Sequence, residues 1–110
     1  MKVSFNGYEE KVLTFQCDST VTDASQWVNI TDDGTVGKAT ANSPLTGITV
    51  NVRNGYAGVM VSGVVTAQKS GDISLGYTSL VYTANGIAQN SAGRKHLVLS
   101  TTGNTVTFIL

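Results

Sequence analysis

Alternating apolar and polar residues predict a β-hairpin in the middle of the chain. Residues 48–53, ITVNVR, are apolar at every second position, which is the period of a half-buried strand. Asn54-Gly55 follows and supplies the left-handed backbone that a tight turn needs. Residues 59–66 are almost entirely apolar on both faces, so we expect one central strand there, covered by protein on either side.

Further strands of the same kind are predicted on both sides of this hairpin. Residues 73–77 are predicted as a short strand or an extended crossing with a bend at Gly76, and full strands cover residues 12–17, 27–31, 35–41, 80–83, 96–100 and 105–110. In the first of them, Leu13, Phe15 and Cys17 share the face that we expect to point inward. The last two should pair with each other as a second hairpin.

The sequence predicts an all-β fold, because apolar residues nowhere recur at helical spacing over three turns. At most one helical turn is expected, at residues 22–26, and the small polar residues 87–93 predict a loop. Roughly eight short strands between turn signals predict one domain over residues 12–110, a β-barrel or a β-sandwich. Residues 1–11 fit neither period, and we interpret them as an extended N-terminal arm; the alternative is a first edge strand or a frayed terminus.

The charge content excludes several classes of partner. Charged residues make up 13% of the chain, against about 25% in typical domains, and seven basic residues balance seven acidic ones. Binding to a nucleic-acid backbone or to an anionic membrane needs a basic face, so we expect neither partner. The N-terminus has no apolar signal-peptide core and no apolar run reaches membrane-spanning length, which predicts a protein that stays in a cytoplasm.

Side chains suited to catalysis or metal binding are few. His96 is the only histidine and Cys17 the only cysteine, so we expect no metal, no cofactor, no small-molecule substrate and no enzymatic activity. We interpret His96 as structural or exposed, since the spacing indicates neither a nucleophile nor an orienting acid for it. Cys17 is interpreted as a small buried apolar residue.

A series of glycine-punctuated strand patterns runs from Trp27 onward. Its segments are WVNI with the hairpin DDGTVGKA, then TGITVNVRNGYAGVMVSGVV, SGDISLGYTSLVYTANGIAQNSAG and KHLVLSTTGNTVTFIL. In this order they resemble the small β-barrel head decoration proteins of tailed bacteriophages, which stabilise the capsid. The resemblance covers about three quarters of the chain.

This resemblance implies a structural virion protein, made in the cytoplasm of a bacterial host and located on the exterior of the capsid. It implies a homotrimer that binds the outer surface of the shell and reinforces contacts between subunits of the major capsid protein. In such proteins the N-terminal arm meets the capsid lattice, which implies Phe5, Tyr8 and Lys11 as capsid-contact residues here.

Three other functions are compatible with the sequence. One is a tail, head-completion or fibre-associated β domain of a phage. Another is a carbohydrate-binding module, in which Trp27, Tyr56 or Tyr77 would form an exposed stacking platform. We expect Trp27 instead to cap the core, because its neighbours are apolar, and its fluorescence not to respond to glycans. The last is a hydrolase built around His96 and an aspartate.

Overall fold

Alternation along the chain produces strands almost throughout the part that the structure describes. The computed structural model describes residues 10–110, which form eleven β-strands and no helix. The strands are β1 (Lys11–Cys17), β2 (Trp27–Asp32), β3 (Thr35–Lys38), β4 (Ser43–Pro44), β5 (Gly47–Arg53), β6 (Tyr56–Ser62), β7 (Val64–Gln68), β8 (Gly76–Thr83), β9 (Gly86–Gln89), β10 (Arg94–Thr101) and β11 (Thr105–Ile109). The predicted all-β class is confirmed, although the strands outnumber the roughly eight expected.

Five strands close into a barrel in the order β1-β3-β2-β5-β6. Its interior is narrow and is filled by short side chains, mostly the β-branched valine that strands favour. The buried residues of this barrel core are Val21, Val28, Val36, Ala57 and Val59. The closed barrel is therefore one of the two architectures that the strand pattern predicted.

The barrel closes unevenly at β1. Residues Lys11 to Gln16 pair with β6, whereas pairing with β3 is limited to Gln16 and Cys17. Phe15 and Cys17 pack against the barrel core as predicted, although both are only partly buried, so the prediction of a buried Cys17 holds in part. The prediction that Leu13 points into the core is wrong, since its side chain is 52% exposed. Its half of β1 has a strand neighbour on one side only among residues 10–110, so no β3 residue covers it.

The remaining strands form a second sheet. Its order is β4-β8-β10-β11-β7, and β9 also pairs with β8. The predicted hairpin of the last two strands is confirmed by the β10–β11 pairing. A parallel bridge between Lys69 and Ile87 links the end of β7 to β9, so the sheet curls around its core. The buried residues of that core are Leu45, Met60, Val65, Ile73, Leu80, Ile87, Val98, Val106, Phe108 and Leu110.

Gly63 divides what the sequence predicts as one central strand. The prediction over residues 59–66 is wrong, because β6 belongs to the barrel and β7 to the second sheet. Gly63 has a φ of 144°, and an added Cβ would lie 3.1 Å from Glu10 Cγ and 3.2 Å from Met60 Sδ. Only glycine adopts this conformation without strain. Met60 then extends from the barrel into the core of the second sheet, which joins the two halves.

Two further local predictions are wrong. Residues 73–77 and 80–83 do not form two separate elements, because residues 76–83 form the single strand β8. Residues 87–93 do not form a loop throughout, since residues 86–89 are strand β9 on the edge of β8. Residues 23–25 form a bend and a turn and no helical turn, which agrees with the expectation of at most one at residues 22–26. There the side-chain carbonyl of Gln26 accepts hydrogen bonds from the N–H groups of Thr22 and Asp23. The Gln26 N–H, which would donate to the Thr22 carbonyl in a helical turn, donates to Thr49 Oγ1 at 2.9 Å instead.

Candidate functional site

The first half of β1 carries the one predicted contact residue that the structure describes. Phe5 and Tyr8 lie outside the described residues. Lys11 is exposed and is the first residue of β1, so the strand begins one residue earlier than predicted. Val12 and Leu13 follow it with 47% and 52% of their surface exposed. We call Lys11, Val12 and Leu13 the β1 surface.

The backbone beside the β1 surface also has an open edge. Antiparallel pairing with β6 uses one side of the strand. On the other side, the ladder with β3 starts only where the Gln16 N–H donates to the Gly34 carbonyl at 3.0 Å. Within residues 10–110, positions 11–15 thus present N–H and C=O groups that no second strand uses. An open strand edge of this kind can pair with a strand of another chain.

A cavity of about 420 Å³ lies beside Trp27, and we call it the Trp27 groove. The indole packs on the core of the second sheet, with its ring centroid 6.3 Å from that of Phe108 and an angle of 18° between the rings. The prediction that Trp27 caps the core is confirmed. Gln26, which also lines the groove, donates from Nε2 to the Thr20 carbonyl at 2.9 Å, so its amide holds the neighbouring loop.

A second cavity, of about 340 Å³, lies between β8 and the β9–β10 connection, and we call it the Tyr77 groove. Tyr77 is 73% exposed and forms one wall of it. Of the three aromatic residues considered as stacking platforms, Tyr77 is thus the most accessible. Tyr56 is 51% exposed on the barrel, and Trp27 is half-buried.

His96 is buried inside the second sheet, with 2% of its surface exposed. Its Nδ1 lies 3.0 Å from the carbonyl oxygen of Ile109, and because a carbonyl can only accept, Nδ1 carries the proton. Nε2 is buried and has no hydrogen-bond partner among residues 10–110. The ring meets the edge of Phe108 at a centroid distance of 5.6 Å. These contacts agree with the structural alternative for His96.

Burial lowers the pKa of His96, because the imidazolium loses its hydration inside the sheet. The hydrogen bond to the Ile109 carbonyl opposes this pKa shift, and the positive charge of Arg94 adds to it. Protonation would also place a second N–H at Nε2, where the described residues offer no acceptor. The neutral imidazole is therefore the form that the fold accommodates.

The described part of the chain has neither a cluster of metal-ligating side chains nor a helix suited to a membrane. Among residues 10–110, no three His, Cys, Asp or Glu side chains converge as metal ligands would. The same residues contain no helix with the length and apolar character needed to cross a membrane. The β1 surface and the two grooves are the candidate sites that follow from the exposed residues and cavities above.

No protein-family model, no curated protein and no solved structure matches this chain. The likeness to phage decoration proteins therefore depends on the strand and glycine patterns of the sequence. The capsid function that it implies stays a prediction, and the β1 surface is the part of the structure on which it can be tested.

Proposed function

We propose that this protein is a structural component of a bacteriophage virion. It binds the outer surface of the capsid as a homotrimer and stabilises contacts between subunits of the major capsid protein. The observation that supports this function best is the β1 surface, where exposed apolar side chains and an open strand edge directly follow the predicted arm.

An open edge and apolar side chains together suit a protein partner. A strand of the capsid protein that pairs with residues 11–15 gains main-chain hydrogen bonds, and Val12 and Leu13 supply side chains to bury. Full burial of such a side chain contributes about 1.5–3 kcal/mol, and roughly half of each is still exposed here. One contact of this size is weak, so it suits repetition over many equivalent sites.

Repetition over a symmetric shell turns weak contacts into stabilisation. A protein that binds only the assembled lattice shifts the equilibrium towards that lattice by mass action. Linked copies in a trimer bind neighbouring sites at high effective concentration, which raises their total affinity. The balance of seven basic and seven acidic residues limits repulsion between crowded copies.

Co-sedimentation with capsid shells tests this function. The shells are assembled from the major capsid protein encoded in the same genome, without this chain, and are mixed with the purified protein. We expect saturable binding at a fixed ratio to the capsid protein and loss of binding when residues 1–9 are deleted. The double variant Val12→Ser with Leu13→Ser should also bind less, whereas the control Ile30→Ser, on an equally exposed residue of β2, should bind normally.

Two results would reject the proposal. One is the absence of saturable binding to intact shells. The other is an equal loss of binding in the β1 variant and in Ile30→Ser, which would show that any exposed apolar residue suffices. A tail, head-completion or fibre protein would instead form rings or fibres without a shell, which sedimentation velocity of the protein alone detects.

A further inference from the structure

Tyr77 presents an open aromatic face to the cavity beside it. The residue lies near the start of β8, with Leu97 directly opposite on β10, and it is more exposed than any other large apolar or aromatic side chain between residues 10 and 110. Leu75, which is also exposed, lines the same groove. The groove volume of about 340 Å³ is within the range of small-ligand sites. An exposed ring in such a groove can stack on the apolar face of another ring.

The amides of the groove are oriented with their N–H groups free. Gln89 Oε1 accepts a hydrogen bond from the Ser74 N–H at 3.0 Å, and Asn90 Oδ1 accepts one from the Ala92 N–H at 2.9 Å. These bonds fix which way each amide faces, although each oxygen keeps a second lone pair. Within residues 10–110 neither NH₂ group donates to the protein, so each can donate to a ligand.

The lining of the groove also includes a hydroxyl and a positive charge. Ser79 on β8 pairs directly with Lys95 on β10, and both line the groove. Among the described residues that line it, Lys95 is the only charged one. A ligand with a carboxylate is therefore attracted, and a cationic ligand is repelled.

From these observations we propose that the Tyr77 groove binds a carboxylate-bearing saccharide, such as a uronic or sialic acid residue. The sugar ring stacks on Tyr77, its hydroxyl and ring oxygens accept hydrogen bonds from the amides of Gln89 and Asn90, and its carboxylate lies towards Lys95. This site is separate from the β1 surface, so it stands or falls independently of capsid binding.

The larger Trp27 groove is a poorer site for such a ligand. Both polar atoms of the Gln26 side chain already form hydrogen bonds within the protein. The oxygen accepts from the N–H groups of Thr22 and Asp23, and the nitrogen donates to the Thr20 carbonyl. Asp23 and Lys38 place charges of both signs in that groove. Sugar binding at Tyr77 therefore leaves the fluorescence of Trp27 unchanged, which gives a readout of location.

The test is an NMR titration of the ¹⁵N-labelled full chain with glucuronic acid and with N-acetylneuraminic acid. Glucose serves as the neutral sugar, and acetate as the carboxylate without a ring. We expect saturable shifts at the Tyr77 and Asn90 amides with both acids, at millimolar concentrations. Glucose should bind more weakly, and acetate should give no saturable shift there.

Variants separate the ring from the charge. Tyr77→Ala should weaken binding about tenfold or more, because the stacking surface is lost. Lys95→Gln should weaken it about two- to fivefold and remove the preference for acidic sugars over glucose. The control Tyr56→Ala removes an exposed tyrosine beside Arg53 on the barrel and should leave binding unchanged. Exposure of all three side chains makes unfolding of these variants unexpected.

Several results would overturn the assignment. Absence of saturable shifts with both acids rejects a saccharide site. Acetate binding as tight as that of the acids rejects the role of the ring, and a response of Trp27 fluorescence moves the ligand to the other groove. If Tyr77→Ala and Tyr56→Ala weaken sugar binding equally, the sugars bind nonspecifically to exposed tyrosines.

Discussion

The barrel and the second sheet are both built from alternating strands, yet they are filled differently. Valine and alanine are enough for the barrel core, whereas the second sheet buries Phe108, Leu80 and Ile87 completely or nearly so. The second sheet also accommodates His96, a polar ring. The fully buried side chains of the barrel are short, and Phe15 packs against them from a partly buried position, whereas the second sheet buries large side chains outright. We therefore expect the second sheet to contribute more to stability.

The largest difference should appear when core side chains are truncated. Phe108→Ala removes a ring that contacts both Trp27 and His96, and should lower the free energy of unfolding by about 3–5 kcal/mol. Val36→Ala, at an equally buried barrel position, removes only two methyl groups and should cost about 2 kcal/mol. Urea unfolding of both variants provides the measurement. Equal losses would contradict the proposed division of stability.

The next effect concerns glycines that face different kinds of neighbour. Gly93 is packed against the backbone of β8, and an added Cβ would lie 2.6 Å from the Leu80 carbonyl carbon. Backbone cannot yield easily, so Gly93→Ala should cost about 2–3 kcal/mol. On the barrel, a Cβ at Gly58 would meet the side-chain atoms of Asn51, 2.9 Å or more away.

Gly58→Ala is therefore the matched control. The Asn51 side chain can rotate away, which leaves mainly the loss of its 3.1 Å hydrogen bond from the Gly58 N–H, about 1 kcal/mol. The difference is measured from the urea midpoints of the two variants, provided that the free energy of unfolding depends equally steeply on urea concentration in both. A larger loss for Gly58→Ala than for Gly93→Ala would mean that the barrel wall is the stiffer of the two.

The alternation of apolar and polar residues predicted the strands that show such alternation themselves. It failed where a segment is a strand, or is exposed, because of its pairing with other strands. The hairpin at Asn54-Gly55 has the positive φ angles that this dipeptide predicts. Strand β9 contains Ile87 as its one large apolar residue, so only its pairing with β8 identifies it. Leu13 is exposed because β3 pairs with the far end of β1, and the spacing of apolar residues carries no information about that.

The candidate sites were predictable to different degrees. Tyr77 is one of three aromatic residues that the sequence offers as a stacking platform, but exposure depends on the fold and could not be ranked beforehand. Asn90 and Lys95 reach the same groove only because β9 and β10 both pair with β8. Their polar side chains give no signal in the sequence, since similar residues occur throughout its turns.

A smaller effect on stability depends on pH and comes from His96, which lies in the second sheet and has no counterpart in the barrel core. The folded protein has a lowered His96 pKa, so the unfolded state, with a value near 6.5, takes up the proton first. The contribution of neutral His96 to the free energy of unfolding is therefore fully present above that pH. It should decrease as the pH drops through that value, by about 1.4 kcal/mol for each unit of difference between the two pKa values. Arg94 adds to this loss by repelling the imidazolium.

Unfolding by urea between about pH 8 and about pH 5 measures this dependence. Asp18, whose pKa is lowered by hydrogen bonds from the side chain and N–H of Thr20, titrates below that range and does not interfere. His96→Asn keeps a donor for the Ile109 carbonyl but does not titrate, so its stability should be flat between these limits. A wild-type protein that is equally stable at both ends would mean that His96 is protonated in the folded state at no cost.

The smallest effect on stability is expected at the β1 surface. Leu13→Ser replaces a side chain that is already half exposed, so the free energy of unfolding should change by no more than about 0.5 kcal/mol. Phe15→Ser, two residues further along the same strand, removes a ring that packs against the barrel core and should destabilise clearly. If Leu13→Ser proves as costly as Phe15→Ser in urea unfolding, the first half of β1 is part of the packed barrel. If it costs little and shell binding still falls, Leu13 serves contact with a partner, because the loss of binding then does not come from a loss of folded protein.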